Sequence, residues 1–224
     1  MNNPLPTLAV VGGTGALGSA LARRWASAGY NVIIGSRTIE KAASVAAGMA
    51  GKLDNSKTIQ AMDNVQAADR GDIVILAVPF QQRESILTAI ASGVAGKIVV
   101  DTSVPLAPPK VGTVQLPAQG SAAQMTQAFF GAGVTVLSAF QNVAAAKLAQ
   151  EGEVDCDVLV CGDSAADRER LIELVAAAGL RGLHAGPLAN SAAVEALTSV
   201  LITINRRYKI AGAGIRITGL PADA

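Results

Sequence analysis

Three glycines spaced G-x-G-x-x-G, in Gly13-Thr14-Gly15-Ala16-Leu17-Gly18, are the residues whose pattern speaks most directly of chemistry. At this spacing Gly13 permits a tight turn, Gly15 lets the backbone approach a pyrophosphate, and Gly18 lets the following helix pack closely on its strand. The helix N-terminus then offers free N–H groups and a positive dipole end to the phosphates. About twenty residues on, where NAD-binding folds place a carboxylate for the ribose hydroxyls, the chain reads Gly35-Ser36-Arg37-Thr38. No carboxylate stands there to repel a 2′-phosphate. Ser36 supplies a hydroxyl, Arg37 a planar fork of donors, and Lys41, one helical turn later, a second positive charge. The expected cofactor is therefore NADP(H) rather than NAD.

Groups that move protons are scarce. Tyr30 and Tyr208 lack the Tyr-x-x-x-Lys spacing, and the lone histidine, His184, falls where a late strand ends. No His/Cys/Asp grouping has metal-ligand spacing, and no G-x-S-x-G elbow occurs. Cys156 and Cys161 are the only cysteines and form no C-x-x-C pair. A dehydrogenase acting on an alcohol must move a proton along with the hydride. The absence of an acid–base pair points instead to transfer between nicotinamide and a second redox carrier, where positioning is most of the task.

These residues need a frame, and the hydrophobic pattern supplies one. Leu8–Val11 reads as a buried strand, followed by a helix through Leu17, Leu21 and Trp25 that ends at Gly29. Further strands are expected at 31–35, 57–60, 72–78, 97–101, 134–137, 158–161 and 180–183. Helices are expected from Thr38, over 63–68, 83–92, 121–130 and 165–178, and from Asn190 or Ser191 to about Tyr208. Alternation of strand and helix predicts an α/β, Rossmann-type, doubly wound parallel sheet with right-handed crossovers. The division expected is an NADP-binding domain over 1–137 and a small C-terminal α/β lobe over 138–224. Residues 104–117 hold four of the nine prolines and read as a long irregular loop. Ala193 to Ile217 is helical and then glycine-rich, either a core helix or a dimer contact.

The 224 residues are 50% hydrophobic and 16% charged, with a formal net charge of +1. No basic run suggests nucleic acid. No apolar stretch reads as a membrane span and no signal pattern opens the chain, so a cytoplasmic protein is expected.

The segments Gly12–Gly18, Gly35-Ser36-Arg37 with Lys41, Ala77-Val78-Pro79-Phe80, Ser138-Ala139-Phe140, Val160-Cys161-Gly162-Asp163 and Ala185–Ser191 resemble the NADPH-dependent reductases of the deazaflavin coenzyme F420. The resemblance spans nearly the whole chain. It implies a cofactor-binding set of Gly13, Thr14, Gly15, Ala16, Leu17, Ser36, Arg37, Lys41, Val78 and Pro79. Within it Thr14, Ser36, Arg37 and Lys41 would hold the 2′-phosphate, and Val78 and Pro79 would border the nicotinamide half. It also implies a pocket for the second carrier at Phe140, Gln141, Asn142 and Val143, a homodimer, and direct hydride transfer from nicotinamide C4 to deazaflavin C5. Family members carry a histidine where this chain has Gln141, which can hydrogen-bond a ring but cannot carry a proton. Reduction of FMN, FAD or another small organic acceptor is therefore a second expectation, as in the related reductase domains of membrane ferric reductases. A non-catalytic NADP-binding protein is a third.

Overall fold

The computed structural model describes residues 4–50 and 59–221. Its first unit is β1 (Leu8–Val11), α1 (Ala16–Ser27) and β2 (Val32–Ser36), followed by α2 (Ile39–Ala50). Next come β3 (Ile59–Asp63), α3 (Asn64–Arg70), β4 (Ile73–Leu76), α4 (Arg83–Ile90) and β5 (Ile98–Asp101). After the proline-bearing loop, α5 (Ala122–Phe130) leads to β6 (Thr135–Ser138). The strand expected at 57–60 runs from Ile59 within the described residues; Lys57 and Thr58 lie outside them.

The six strands form one sheet in the order β3-β2-β1-β4-β5-β6, every pair parallel. Strands buried on both faces read as unbroken apolar runs, and β1 and β4 are fully buried along their whole length. Alternate side chains feed opposite layers. Leu8 and Val10 join Leu21, Trp25 and Ile34 on one face, while Ala9 and Val11 join Val74, Leu76 and Leu87 on the other. Chain order reverses between β1 and β4, and a ligand of such a sheet binds outside the strand ends at that crevice. The glycine turn opens there.

Past Ser138 the chain leaves the large sheet. A short α6 (Ala145–Leu148) precedes β7 (Asp157–Val160), α7 (Ala165–Ala177) and β8 (Arg181–His184), and α8 (Ser191–Tyr208) follows. β7 and β8 pair as a small parallel sheet, and Ser138 bridges to Cys161. α6, α7 and the loops next to them are fastened to α1 by polar contacts as well as packing. Trp25 Nε1 donates to Leu174 O at 2.8 Å and its ring meets Phe140 edge-on at 6.0 Å. Arg24 donates to the carbonyls of Leu148, Gln150, Gly152 and Ala178.

Two sequence expectations change at the C-terminal helix. Asn190 occupies the N-cap position of α8 without capping it through its side chain, because its Nδ2 donates to Ala185 O at 2.7 Å. Leu188–Tyr208 is, by length and composition alone, long and apolar enough to cross a membrane, contrary to the expectation of no such stretch. Part of that apolarity is spent on packing: Val194 and Leu201 are buried, and the helix lies against α5.

Candidate functional site

Backbone hydrogen bonds brace the turn after β1. Gly13 N donates to Val10 O and to Gly35 O at 3.0 and 2.9 Å, and Gly15 N to Gly12 O at 3.0 Å. The left-handed residue of the turn is Gly12, at φ +77°, one position before the G-x-G-x-x-G pattern. Gly13 is excluded from carrying a side chain for a different reason: a Cβ would lie 2.8 Å from Val10 O. Gly18 does what its spacing predicts, since its Cβ would lie 3.0 Å from Gly12 O and from Gly13 Cα. No side chain caps α1, so its first N–H groups, among them those of Ala16 and Leu17, face the turn without a side-chain acceptor.

A cleft of about 480 Å³ opens on this turn. Thr14, Gly15, Ser36, Arg37, Lys41, Val78 and Pro79 line it, with Gly12, Thr38, Asn64, Ala77, Gln82 and Ile86. Seven of the ten residues expected to hold the cofactor are thus brought together. Gly13 is buried behind the turn, Leu17 packs against the core, and Ala16 begins α1 beside the cleft without lining it. Ser36 ends β2 with its side chain buried, while Arg37 and Lys41 are exposed at the start of α2. Neither cation is paired with a carboxylate among the described residues. Among the described residues no carboxylate and no imidazole lines the cleft, so its field favours a polyanion. On the β4 side Ala77 N donates to Val11 O at 2.9 Å, and Pro79, lacking an N–H, ends the ladder.

Gly15 tests whether the cleft fits a dinucleotide. It is exposed, its φ is −75°, and a Cβ there would make only ordinary contact, 3.5 Å from Gly12 O. Nothing in the fold demands a glycine, whereas a pyrophosphate brought against the backbone would. Gly15→Ala is accordingly expected to keep its melting temperature within about 2 °C, a surface-type effect. The same variant is expected to bind NADPH about tenfold more weakly, because the added methyl displaces phosphate contacts. Thermal melts and calorimetric titration read the two effects separately.

The residues expected to hold the second carrier lie elsewhere. Phe140 is 1% exposed and packs into the core against Trp25, so it is a structural residue rather than a lining one; it sits at φ +73° where the chain turns out of β6. Gln141, Asn142 and Val143 line a separate cavity of about 100 Å³ against α8, facing Thr198, Leu201, Ile202 and Asn205. Gln141 Nε2 donates to Asp101 O at 2.8 Å and to Ser138 Oγ at 2.9 Å, and Asn142 Nδ2 to Asp157 O at 2.7 Å. Both amides are thus fixed by their nitrogen ends, and Gln141 Oε1 and Asn142 Oδ1 are buried without a partner among the described residues. An orphaned buried oxygen costs free energy unless water or a ligand donates to it.

Between these sites runs a polar network with no clear sequence signal. Asp101, fully buried at the end of β5, accepts from Ser103 N at 2.7 Å and from Thr126 Oγ at 2.6 Å. Thr126 also receives Arg83 Nη1, which donates to Ala122 O at 2.7 Å. Glu195 of α8, 1% exposed, accepts from Ala122 N and Ala123 N at 2.7 and 3.1 Å, so it caps α5 from a distant helix. Its appearance within the apolar 194–204 stretch is the one hint the sequence offered. Burial pushes its carboxyl up to about 7; the α5 N–H groups and Arg83 oppose the shift and Asp101 adds to it.

Because folded Glu195 holds its proton more tightly than the unfolded chain does, its contribution to stability is full below about 4.5 and is lost as pH rises through about 7. The shift corresponds to roughly 3 kcal/mol. Glu195→Gln keeps an acceptor for α5 and cannot ionise. Urea unfolding at pH 5 and pH 8 is expected to show a fall in wild-type stability that this variant lacks.

His184 and the cysteines line neither cavity. His184 is exposed, with Nε2 2.9 Å from Glu169 and Nδ1 receiving Arg168 Nε at 3.2 Å. Cys156 and Cys161 are free and buried, and burial raises both thiols, Cys161 to about 11.

Comparison with known proteins finds relatives over nearly the whole chain. A family profile described as NADP oxidoreductase coenzyme F420-dependent matches residues 7–105. The F420-dependent NADP reductase of Methanocaldococcus jannaschii is 40% identical over 222 residues, covering 95% of this chain and 98% of that protein. The protein of the same name from Methanothermobacter thermautotrophicus is 39% identical over 96% of this chain and 95% of its own length. In fold, the chain superposes with a TM-score of 0.79 on a crystal structure from Arthrobacter sp. FB24 described as an F420-dependent NADP-reductase. That alignment covers 96% of this chain and 100% of the other at 23% identity.

Proposed function

The chain belongs to the family of F420-dependent NADP reductases, and from that premise we propose that it is an oxidoreductase passing a hydride between NADP(H) and coenzyme F420. The observation that carries this is the cationic cleft on the glycine turn, lined by neither carboxylate nor imidazole among the described residues. Thr14, Ser36, Arg37 and Lys41 hold the 2′-phosphate, and the N–H groups opening α1 receive the pyrophosphate. Val78 and Pro79, leaving β4 at the switch point, border the nicotinamide half. When bound, NADPH supplies a hydride at nicotinamide C4, which the deazaflavin accepts at C5. The protein orients the two partners and excludes water, so no side-chain acid or base is required for that transfer.

Gln141, Asn142 and Val143 form the edge that meets the acceptor. In support, the orphaned Gln141 Oε1 is an acceptor in want of a donor, and an imide N–H on the acceptor's ring would supply one. The division of labour follows the chain: residues 1–137 bind the nucleotide and 138–224 complete the acceptor side. The protein acts in the cytoplasm as a homodimer, the pairing supported by exposed apolar side chains at Val200, Tyr208 and Ile210 on and after α8.

Stopped-flow mixing of the protein with NADPH and purified F420 tests the proposal. The deazaflavin absorbance band is expected to bleach on a timescale set by the enzyme. Unchanged absorbance would overturn the F420 assignment. Oxidation of NADPH with FMN or FAD but not F420 would place Gln141 in a flavin reductase instead.

A further inference from the structure

We infer that Asn64 is a positioning residue for NADP binding, one that locks the pyrophosphate turn to the 2′-phosphate cradle. The inference rests on the NADP assignment above and adds to it a residue outside the G-x-G-x-x-G pattern and outside the cationic set. β3 pairs with β2 so that Met62 stands opposite Gly35 and Asp63 opposite Ser36. Asp63 then caps α3, its Oδ1 accepting from Gln66 N at 2.8 Å, which fixes Asn64 as the first helical residue. From that position the Asn64 side chain, 6% exposed, reaches back to the turn, and its Oδ1 accepts from Gly12 N at 3.1 Å.

Gly12 is the left-handed residue of the turn, so this bond restrains the peptide on which the shape of the turn depends. The same oxygen lies where it would be 3.0 Å from a Cβ on Gly35, the residue that leads into Ser36 and Arg37. Asn64 therefore touches both halves of the cleft it lines. A second strap, Gly13 N to Gly35 O at 2.9 Å, runs alongside. Together they hold the N–H groups for the pyrophosphate at a set distance from the side chains for the 2′-phosphate. NADPH, which engages both, depends on that distance. NADH, which lacks the 2′-phosphate, does not.

Two variants separate this role from bulk stability. Asn64→Ala removes the acceptor from a part-buried N–H, and is expected to raise the Kd for NADPH about tenfold, the size of one such loss. Its Kd for NADH should rise by only about threefold, since both nucleotides meet the loosened turn but only NADPH spans both halves of the cleft. Asn64→Asp keeps an acceptor oxygen but sets a negative charge among phosphate groups. Its NADPH affinity, relative to wild type at the same salt, should be about tenfold weaker at low ionic strength and recover substantially near 0.5 M, where the Debye length is only a few ångströms. Asn64→Ala should not recover with salt. Isothermal titration with NADPH and NADH reads all of these, and Asn64→Asp alone carries the test if the alanine variant does not fold. NADPH affinity within twofold of wild type in the folded variants at low salt overturns the role of Asn64. Wild-type protein that binds no NADPH overturns the cofactor assignment instead.

Discussion

Arg37→Ala is expected to raise the Kd for NADPH by about 10- to 100-fold, the loss of a charge-assisted hydrogen-bonding fork to phosphate. The Kd for NADH should stay within about threefold, because nothing in NADH occupies the 2′-phosphate position. Stability is the control. Arg37 is exposed at the start of α2 and makes no ion pair among the described residues, so its removal should shift unfolding by less than about 0.5 kcal/mol. Lys41→Ala should act in the same direction and less strongly, as a point charge lacks the matched geometry of a guanidinium. Titration of both variants with both nucleotides measures the contrast. Equal losses for NADPH and NADH would mean that Arg37 serves the pyrophosphate and that the 2′-phosphate is read elsewhere.

Gly12→Ala is expected to be strongly destabilising. A Cβ there would lie 2.6 Å from Ala77 O and 2.6 Å from Val78 Cγ1, at a φ of +77° that side chains rarely adopt. The backbone oxygen cannot swing aside as a side chain would. The left-handed conformation and the forced overlap together should cost about 2–5 kcal/mol. The damage falls on function too, because relieving the overlap drives Ala77–Val78 away from the turn and reshapes the cleft. Gly29→Ala is the matched control: its φ is +90°, and an added Cβ would meet nothing within 4 Å. That variant should lose only the conformational share, about 1–2 kcal/mol, and bind NADPH normally. Urea unfolding of the two proteins isolates the collision, and comparable losses would show that Ala77 yields more easily than its place at the end of β4 implies.

The sheet and the cofactor half of the site were legible because both are local. Hydrophobic runs such as Ile73–Leu76 mark strands whichever partner they find, and a strand, glycine turn and helix in sequence fixes where Thr14 and Gly15 lie. The cradle at Ser36–Arg37 follows from β2 being the next strand over. What escaped notice depends on contacts distant in sequence. Asn64 reaches Gly12 across 52 positions and Glu195 reaches Ala122 across 73, and no spacing rule ties such pairs together. The left-handed conformation of Gly12 lies one position outside the G-x-G-x-x-G pattern, so that spacing does not point to it. The family resemblance implies a pocket role for Phe140, yet an aromatic ring beside Trp25 contributes more to the core than to a polar cavity.

The central claim is that hydride passes directly between the two carriers, and an isotope measurement tests it most simply. NADPH doubly deuterated at nicotinamide C4 is mixed with the protein and F420 in ordinary water, and the reduced deazaflavin is weighed by mass spectrometry. A hydrogen delivered to C5 is held on carbon, where solvent does not remove it as it would from a ring nitrogen. The account predicts one deuterium per molecule of reduced F420. Reduced F420 carrying none, with the label lost to water, would contradict it.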